Sequence, residues 1–184
     1  MVRMVPPVCL FNSPAADFKL PDTAGKLWTL DDCKGVNGLL VMFICNHCPY
    51  VRATLEGLVA DTRLLLDSGI NSVAIMSNDI RGYPMDAPEY MRKLAQEYQF
   101  PFPYLYDESQ QVAHAYGAVC TPDFFGYNKD MQLQYRGRFD NRENKTGQEP
   151  GAKHELLLAM QEIAKTGQGP RVQIPNLGCS IKWK

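Results

Sequence analysis

Two cysteines, Cys45 and Cys48, form the first candidate site in this sequence. They occur in the stretch FICNHCPYV, after an apolar run and before a segment with helical periodicity. Such a pair can form a reversible disulfide, supply half of a zinc site, or pack as two ordinary core thiols. No second CxxC or His-rich cluster follows at zinc-ligand spacing, so the pattern favours a redox couple.

The helix that follows decides which sulfur is the easier to ionise. Cys48 is predicted in its first turn, where free backbone N–H groups and the helix dipole stabilise a thiolate. A protonated His47 would lower the pKa of a neighbouring thiol further, which makes His47 a candidate for tuning the redox poise. The alternative for His47 is a solvated residue at the helix start.

The dipeptide Thr121–Pro122, directly before an apparent strand, is the second candidate site. Proline cannot complete an interior strand ladder, so it marks a strand start or a special turn. From these residues alone we expect a trans proline, because cis X–Pro bonds are a minority form.

Two further cysteines are candidate additional thiols. Cys120 precedes Thr121 and is either a third redox thiol or a packed hydrophobic residue. Cys179 lies in a polar tail, where it is either a resolving thiol or an anchor buried with Ile181 and Trp183. The anchor is favoured, because large apolar residues in a polar tail usually dock.

Composition narrows the class of protein. The chain has 184 residues, 45% hydrophobic and 21% charged, with a net charge of −1. There is no basic surplus for nucleic acid or an anionic membrane, and no apolar run is long enough to span a bilayer. The N-terminus has prolines where a signal peptide needs an apolar stretch, so we expect a cytoplasmic protein. Six cysteines are too few for a disulfide scaffold, and we expect no metal or cofactor.

The hydrophobic pattern alternates between strands and helices. Strands are predicted as a hairpin within 17–30, a buried strand at 39–44, another at 72–76 and a second hairpin around 128–130. Helices are predicted from Val51 to Gly69, over 90–98, in a short stretch that ends at Tyr116, and at 152–164. The second and third of these follow capping-box patterns at Asp86 and Asp107. This order predicts an α/β three-layer sandwich with a mixed central sheet, as one domain over 1–184 with a core of about 8–166 and an irregular tail at 167–184.

With these motifs the chain resembles the thioredoxin superfamily, within it the peroxiredoxin-like branch of alkyl hydroperoxide reductases and thiol-specific antioxidants. The motifs are SPAADFKLPDTAGKLWTLDDCKG, CNHCPYV, FPFPYLYDESQ, YGAVCTPDFF, YRGRFDN and GCSIKWK, and as a set they look like an uncharacterised CxxC-bearing subgroup. The resemblance implies a thioredoxin-like fold with an N-terminal β-hairpin extension. It also implies a cis Pro122 beside the CxxC, with Thr121 as a substrate-contacting residue, which reverses the trans expectation.

The sequence departs from both family patterns. The threonine and proline of the peroxiredoxin motif are Cys45 and Val41 here, and the peroxidatic arginine would fall near Pro122. The buried acid of thioredoxins is Leu39 here, so a proton acceptor must come from elsewhere, such as water or His47.

The function that the resemblance implies is thiol–disulfide exchange. Cys45, the more exposed by analogy, would attack a substrate disulfide and Cys48 would resolve the mixed disulfide. One alternative is a peroxidase with Cys48 peroxidatic and Cys45 resolving; another is a redox-sensing or zinc-holding interaction protein. Expected partners are protein or small-molecule disulfides, or peroxides, and a reductant such as thioredoxin or glutathione, with a homodimer left open.

Overall fold

A mixed β-sheet with helices on both faces forms the centre of the fold. The computed structural model describes residues 2–142 and 152–184. In chain order the elements are β1 (Arg3–Met4), β2 (Lys19–Pro21), β3 (Leu27–Thr29), α1 (Leu30–Cys33), β4 (Gly38–Phe43), α2 (Pro49–Asp67), β5 (Ile70–Met76), a 3-10 turn (Pro84–Asp86), α3 (Pro88–Glu97), β6 (Tyr104–Tyr106), α4 (Gln111–Tyr116), β7 (Cys120–Thr121), β8 (Asp123–Asn128), β9 (Leu133–Tyr135), α5 (Glu155–Thr166) and β10 (Gly178–Ser180).

The central sheet has five strands in the order β6-β5-β4-β8-β9. Strands β4, β5 and β6 run parallel, while β8 and β9 are antiparallel additions. All six residues of β4 are buried, as its continuous apolar sequence predicts for a strand covered on both faces. Helices α2 and α5 pack with Leu40 and Met42 of β4 on one face, and α4 and the β2–β3 hairpin pack with Leu39 and Val41 on the other. The predicted mixed three-layer arrangement is therefore present.

The capping boxes predicted for α3 and α4 are wrong. Helix α3 begins at Pro88 with Ala87 as its N-cap residue, and no side chain caps it. Proline lacks an N–H and has a helix-compatible φ, so it starts the helix without help from Asp86. At α4 the carboxylate of Asp107 accepts from the N–H of Ala113, but Gln110 is the N-cap residue in the left-handed conformation and makes no side-chain cap.

The C-terminal tail contains a strand, so its predicted irregularity is wrong at residues 178–180. Strand β10 lies between β1 and β7 in a three-stranded antiparallel sheet. The last helix is also displaced from the predicted 152–164, since α5 spans Glu155–Thr166. Among the described residues, no helix is both long and apolar enough to cross a membrane.

Candidate active site

The CxxC pair lies at the junction of the central strand β4 and helix α2. Cys45 follows the end of β4, and Cys48 is the N-cap residue of α2, one position before the helix begins at Pro49. Both residues are free thiols, and their exposed fractions are 1% and 0%. Both thiols are buried, and the greater exposure of Cys45 that the family analogy implies stays a prediction.

The end of β7 lies directly against both sulfurs. The Thr121–Pro122 peptide bond is cis, as the family resemblance implied and contrary to the expectation from the residues alone. The hydroxyl of Thr121 lies 3.3 Å from Sγ of Cys45, and Sγ of Cys48 donates to the carbonyl oxygen of Thr121 at 3.0 Å. A single residue therefore contacts both thiols, one through its side chain and one through its backbone.

Asp86 fixes the loop between the two cysteines, a role that the sequence reasoning missed. Its side chain is fully buried, and its carboxylate accepts from the backbone N–H groups of Asn46 at 2.8 Å and His47 at 3.2 Å. It also accepts from the Asn78 amide at 2.9 Å. The sequence feature that could have revealed this role is Pro88. Because proline starts α3 without a side-chain cap, Asp86 is not needed as a helix cap and can bond elsewhere.

The His47 ring lies between Asp86 and Cys45. Its Nδ1 is 2.6 Å from the Asp86 carboxylate and 3.7 Å from Sγ of Cys45, and the ring stacks on Tyr83 with centroids 4.7 Å apart. Since the carboxylate accepts all its other hydrogen bonds, Nδ1 carries a hydrogen and donates it. Nε2 is buried and has no hydrogen-bond partner among the described residues.

The surroundings of the two thiols move their pKa values in opposite directions. A hydrogen bond from Cys45 lowers the pKa of Cys48 to about 5 against the cost of burial, with help from Thr121, the N–H of Val51 and Cys179. Burial raises the pKa of Cys45 well above its usual value, and the hydrogen bond to Cys48 and the charge of Asp86 add to this effect. The singly ionised pair therefore keeps its proton on Cys45 and its negative charge on Cys48. The contact between Cys48 and the Thr121 carbonyl belongs to the neutral pair, in which Cys48 still has a proton.

The structure places Cys179 beside the pair, whereas the Cys120 thiol bonds elsewhere. Cys179 is buried on β10 opposite Thr121, in the same buried cluster as Cys45 and Cys48. Cys120 is also buried, but its thiol donates to the carbonyl of Pro122 at 3.4 Å. Burial raises the pKa of both thiols, that of Cys179 to about 12. In the tail, Ile181 is buried as expected, whereas Trp183 is 40% exposed and stacks on His114.

Three residues of the site could also act as metal ligands. Cys45, His47 and Asp86 each offer one donor atom, and these atoms lie within 4.8 Å of one another. A structural zinc ion takes four ligands, usually thiolates and imidazoles. Binding one here would also break the 2.6 Å hydrogen bond between His47 and Asp86. The site thus offers three of the four ligands that a structural zinc ion takes, and two of these ligand atoms are already hydrogen-bonded to each other.

Comparison with known proteins assigns the family. The model of the AhpC/TSA family matches residues 11–139, and the chain belongs to this family. It is 38% identical to an uncharacterised conserved protein from Geobacillus kaustophilus, covering 100% of this chain and 97% of that one, with a TM-score of 0.92. It is also 38% identical to a hypothetical protein from Sinorhizobium meliloti, covering 98% of each chain, with a TM-score of 0.91. A search of curated proteins found no match.

A more distant structure bears on the fold. The thioredoxin domain of a thiol-disulfide oxidoreductase from Bacteroides vulgatus is 19% identical, covering 68% of this chain and 86% of that one, with a TM-score of 0.58. The thioredoxin-like fold and the peroxiredoxin-like branch expected from the sequence motifs are therefore confirmed. Membership of the AhpC/TSA family supports thiol-based redox activity in general terms.

Proposed function

We propose that this protein is a thiol–disulfide oxidoreductase that cycles between the Cys45–Cys48 dithiol and the corresponding disulfide. The observation that carries the proposal is the contact of Thr121 with both sulfurs, at 3.3 Å and 3.0 Å, at the start of a helix. In such an arrangement one thiol can attack a substrate disulfide, and the other, separated from it by two residues, can then attack the mixed disulfide that forms.

In the first step Cys45 attacks a substrate disulfide. The proton of Cys45 passes along its hydrogen bond to the Cys48 thiolate, and the Thr121 hydroxyl then supports the charge on Cys45. A bond forms between Cys45 and one substrate sulfur, and the other substrate sulfur leaves as a thiolate. Because Cys45 is 1% exposed, the loops around it have to move for the substrate to reach it.

In the second step Cys48 loses its proton again and attacks Cys45. The Cys45–Cys48 bond forms, the mixed disulfide breaks, and the second substrate thiolate leaves. Two electrons pass to the substrate, and a thiol reductant such as thioredoxin or glutathione restores the dithiol by the reverse exchange. The proton that Cys48 loses in this step is taken up by the departing substrate thiolate.

Thr121 and Pro122 are the proposed docking residues for the substrate. Thr121 already contacts both sulfurs, and Asn176 of the tail donates to the carbonyl of Pro122 at 2.6 Å. A protein or small-molecule disulfide that lies along Thr121 and Pro122 would place its sulfur near Cys45. His47 would tune the redox poise through its hydrogen bond to Asp86 and its position beside Cys45.

Single serine variants test the order of attack. With glutathione disulfide, Cys48→Ser is expected to accumulate a stable Cys45–glutathione adduct, because the resolving thiol is gone. Cys45→Ser is expected to form no such adduct at Cys48. Intact-mass measurement reads both results, and an adduct found only in Cys45→Ser would assign the attack to Cys48. If wild type forms no Cys45–Cys48 disulfide under these conditions, the oxidoreductase proposal is wrong.

The lowered pKa of Cys48 supports a second candidate, a thiol peroxidase. In that reaction the Cys48 thiolate attacks a peroxide oxygen, releases water or an alcohol, and becomes a sulfenic acid. Cys45 then attacks the sulfenic sulfur and expels a second water. Reaction of reduced protein with hydrogen peroxide at the rate of a free thiol would reject this candidate, whereas a rate orders of magnitude faster with a Cys45–Cys48 product would favour it.

The third candidate is a zinc-holding or redox-sensing interaction protein. Its basis is the group of donor atoms from Cys45, His47 and Asp86. Metal analysis of freshly purified, reduced protein decides the zinc part. One zinc ion per chain, lost in Cys45→Ser, would reject the exchange cycle in favour of this candidate.

A further inference from the structure

The C-terminal strand carries a third thiol to the cysteine pair. In the register of β10 with β7, Cys179 lies opposite Thr121, whose own atoms contact both CxxC sulfurs. Directly opposed residues of antiparallel strands have Cβ atoms about 5 Å apart. Cys179 accordingly lies on the same side of the sheet as the Thr121 side chain, and it shares one buried cluster with Cys45 and Cys48.

The tail is held against the site at several points. A Cβ atom at Gly178 would lie 2.5 Å from the carbonyl oxygen of Thr121 and 3.1 Å from Sγ of Cys120, so only glycine permits this close approach. Beyond Cys179, the N–H of Ile181 donates to Val119 at 3.1 Å. The N–H of Lys182 donates to the Asn78 side chain at 2.8 Å. The Cys179 thiol is therefore positioned by the backbone on both sides.

We infer that Cys179 is a third exchange thiol, which attacks Cys48 in the oxidised couple and moves the disulfide from Cys45–Cys48 to Cys48–Cys179. This inference rests on the proposed oxidoreductase function and deepens it. The oxidised protein would then hold one disulfide in two positions, with Cys45 free as a thiol beside His47 in the second.

The shift is an isomerisation and needs no external oxidant. The Cys179 sulfur forms a bond to the Cys48 sulfur, the Cys45–Cys48 bond breaks, and Cys45 leaves with the electron pair. The proton released by Cys179 is taken up by Cys45, whose pKa burial keeps high. The two sulfurs start in one buried cluster and have to close to about 2.05 Å.

Cys120 is the matched control, because it is equally buried and lies on the same strand as Thr121. Its thiol donates to the carbonyl of Pro122, and neighbouring side chains on a strand point to opposite faces. The Cys120 thiol is therefore already engaged with the Pro122 carbonyl. Removing Cys120 should leave the disulfide shift unchanged.

The test uses Cys45→Ser, which removes the CxxC partner of Cys48. The reduced variant is oxidised with diamide, which couples two adjacent thiols and is itself reduced to the hydrazine. After acid quenching, alkylation and trypsin digestion, a Cys48–Cys179 bond links peptide 35–52 to peptide 172–182. A Cys45–Cys48 bond stays within peptide 35–52, so the two positions are distinguished by mass.

We expect the linked peptides in Cys45→Ser and in Cys45→Ser/Cys120→Ala. In Cys45→Ser/Cys179→Ala the link cannot form, so its absence there confirms that the linked peptide is joined through Cys179. If Cys45→Ser retains its thermal transition but forms no Cys48–Cys179 link, the inference is overturned.

Wild type gives the answer even if these variants fail to fold. Wild type oxidised with glutathione disulfide should contain both the internal Cys45–Cys48 disulfide and a fraction of the linked peptides. The internal disulfide alone would overturn the inference about Cys179 and leave the proposed function intact. Neither disulfide would reject the proposed function itself.

Discussion

The carboxylate of Asp86 lies 2.6 Å from Nδ1 of His47, across a separation of 39 positions in the sequence. The same buried carboxylate accepts the backbone N–H groups of Asn46 and His47, so one side chain fixes both the loop and the ring beside Cys45. The position of the buried acid of thioredoxins is occupied by Leu39 in this chain. A buried acid is nevertheless present near the cysteine pair, supplied by the 3-10 turn before α3.

Replacing Asp86 with asparagine should destabilise the reduced protein. The amide cannot accept from all the donors that face the carboxylate, and leaving buried donors unpaired costs about 2–4 kcal/mol. The pKa of Cys45 should fall, since the charge of Asp86 raises it. Denaturant unfolding and thiolate absorbance at 240 nm measure the two effects.

Asp31→Asn is the control for this variant. The Asp31 side chain is 84% exposed and forms a surface pair with Lys34, so its loss should leave both measurements unchanged within error. Equal stability of Asp86→Asn and Asp31→Asn would contradict the role assigned to Asp86.

Titration of the reduced protein should show one thiolate forming near pH 5. The Cys48 thiol is deprotonated there because of the hydrogen bond from Cys45 and the other donors, whereas Cys45 keeps its proton beyond pH 9. Absorbance at 240 nm follows the thiolate directly. The low-pH step should disappear in Cys48→Ser and persist in Cys120→Ala, and a step retained in Cys48→Ser would assign the thiolate to another residue.

The same pKa shift makes stability depend on pH. Between about pH 5 and pH 9 the unfolded Cys48 holds a proton and the folded Cys48 does not, so the free energy of unfolding rises with pH. This stabilisation is lost as the pH falls through the folded pKa. The difference between reduced wild type and Cys48→Ser should therefore grow across this window, by at most about 1.4 kcal/mol per pH unit. A difference that does not vary with pH would contradict the shifted pKa.

A methyl group at residue 178 should push the tail away from the cysteine pair. In Gly178→Ala the new Cβ meets the Thr121 carbonyl at 2.5 Å, so β10 has to shift at a cost of about 1–3 kcal/mol. Alkylation of Cys179 in the native reduced protein should become faster. Gly82→Ala is the control, because nothing lies within 4 Å of its added Cβ; similar alkylation rates in the two variants would count against the close fit of the tail.

Removing the Thr121 hydroxyl should slow attack by Cys45. Thr121→Val keeps the shape of the side chain but loses the contact at 3.3 Å, which lowers the pKa of Cys45. A hydrogen bond worth about 1 kcal/mol corresponds to a roughly fivefold slower reaction with glutathione disulfide. Thr62→Val loses a buried hydroxyl that bonds only within α2, so it should react at the wild-type rate. Equal rates for the two variants would remove Thr121 from the mechanism.

Local patterns in the sequence were sufficient to place the cysteine pair. The continuous apolar run predicted the buried strand that became β4, and the change to helical spacing predicted the start of α2 within one residue of Cys48. These features could be predicted because they depend on neighbours along the chain: side-chain periodicity, proline at a helix start and turn residues between strands.

The surroundings of the pair were decided by tertiary structure. Asp86 looked like a helix cap, yet chain packing carries it to the CxxC loop. The tail looked irregular because its strand is only three residues long and exists through pairing with β1 and β7. The sequence by itself determined which thiols form the CxxC and the elements that flank them. Only the fold decided that both cysteines of the pair are buried and that Asp86 and Cys179 lie beside them. Those contacts join segments that are far apart in the chain, and such contacts leave no periodic pattern in the sequence of either segment.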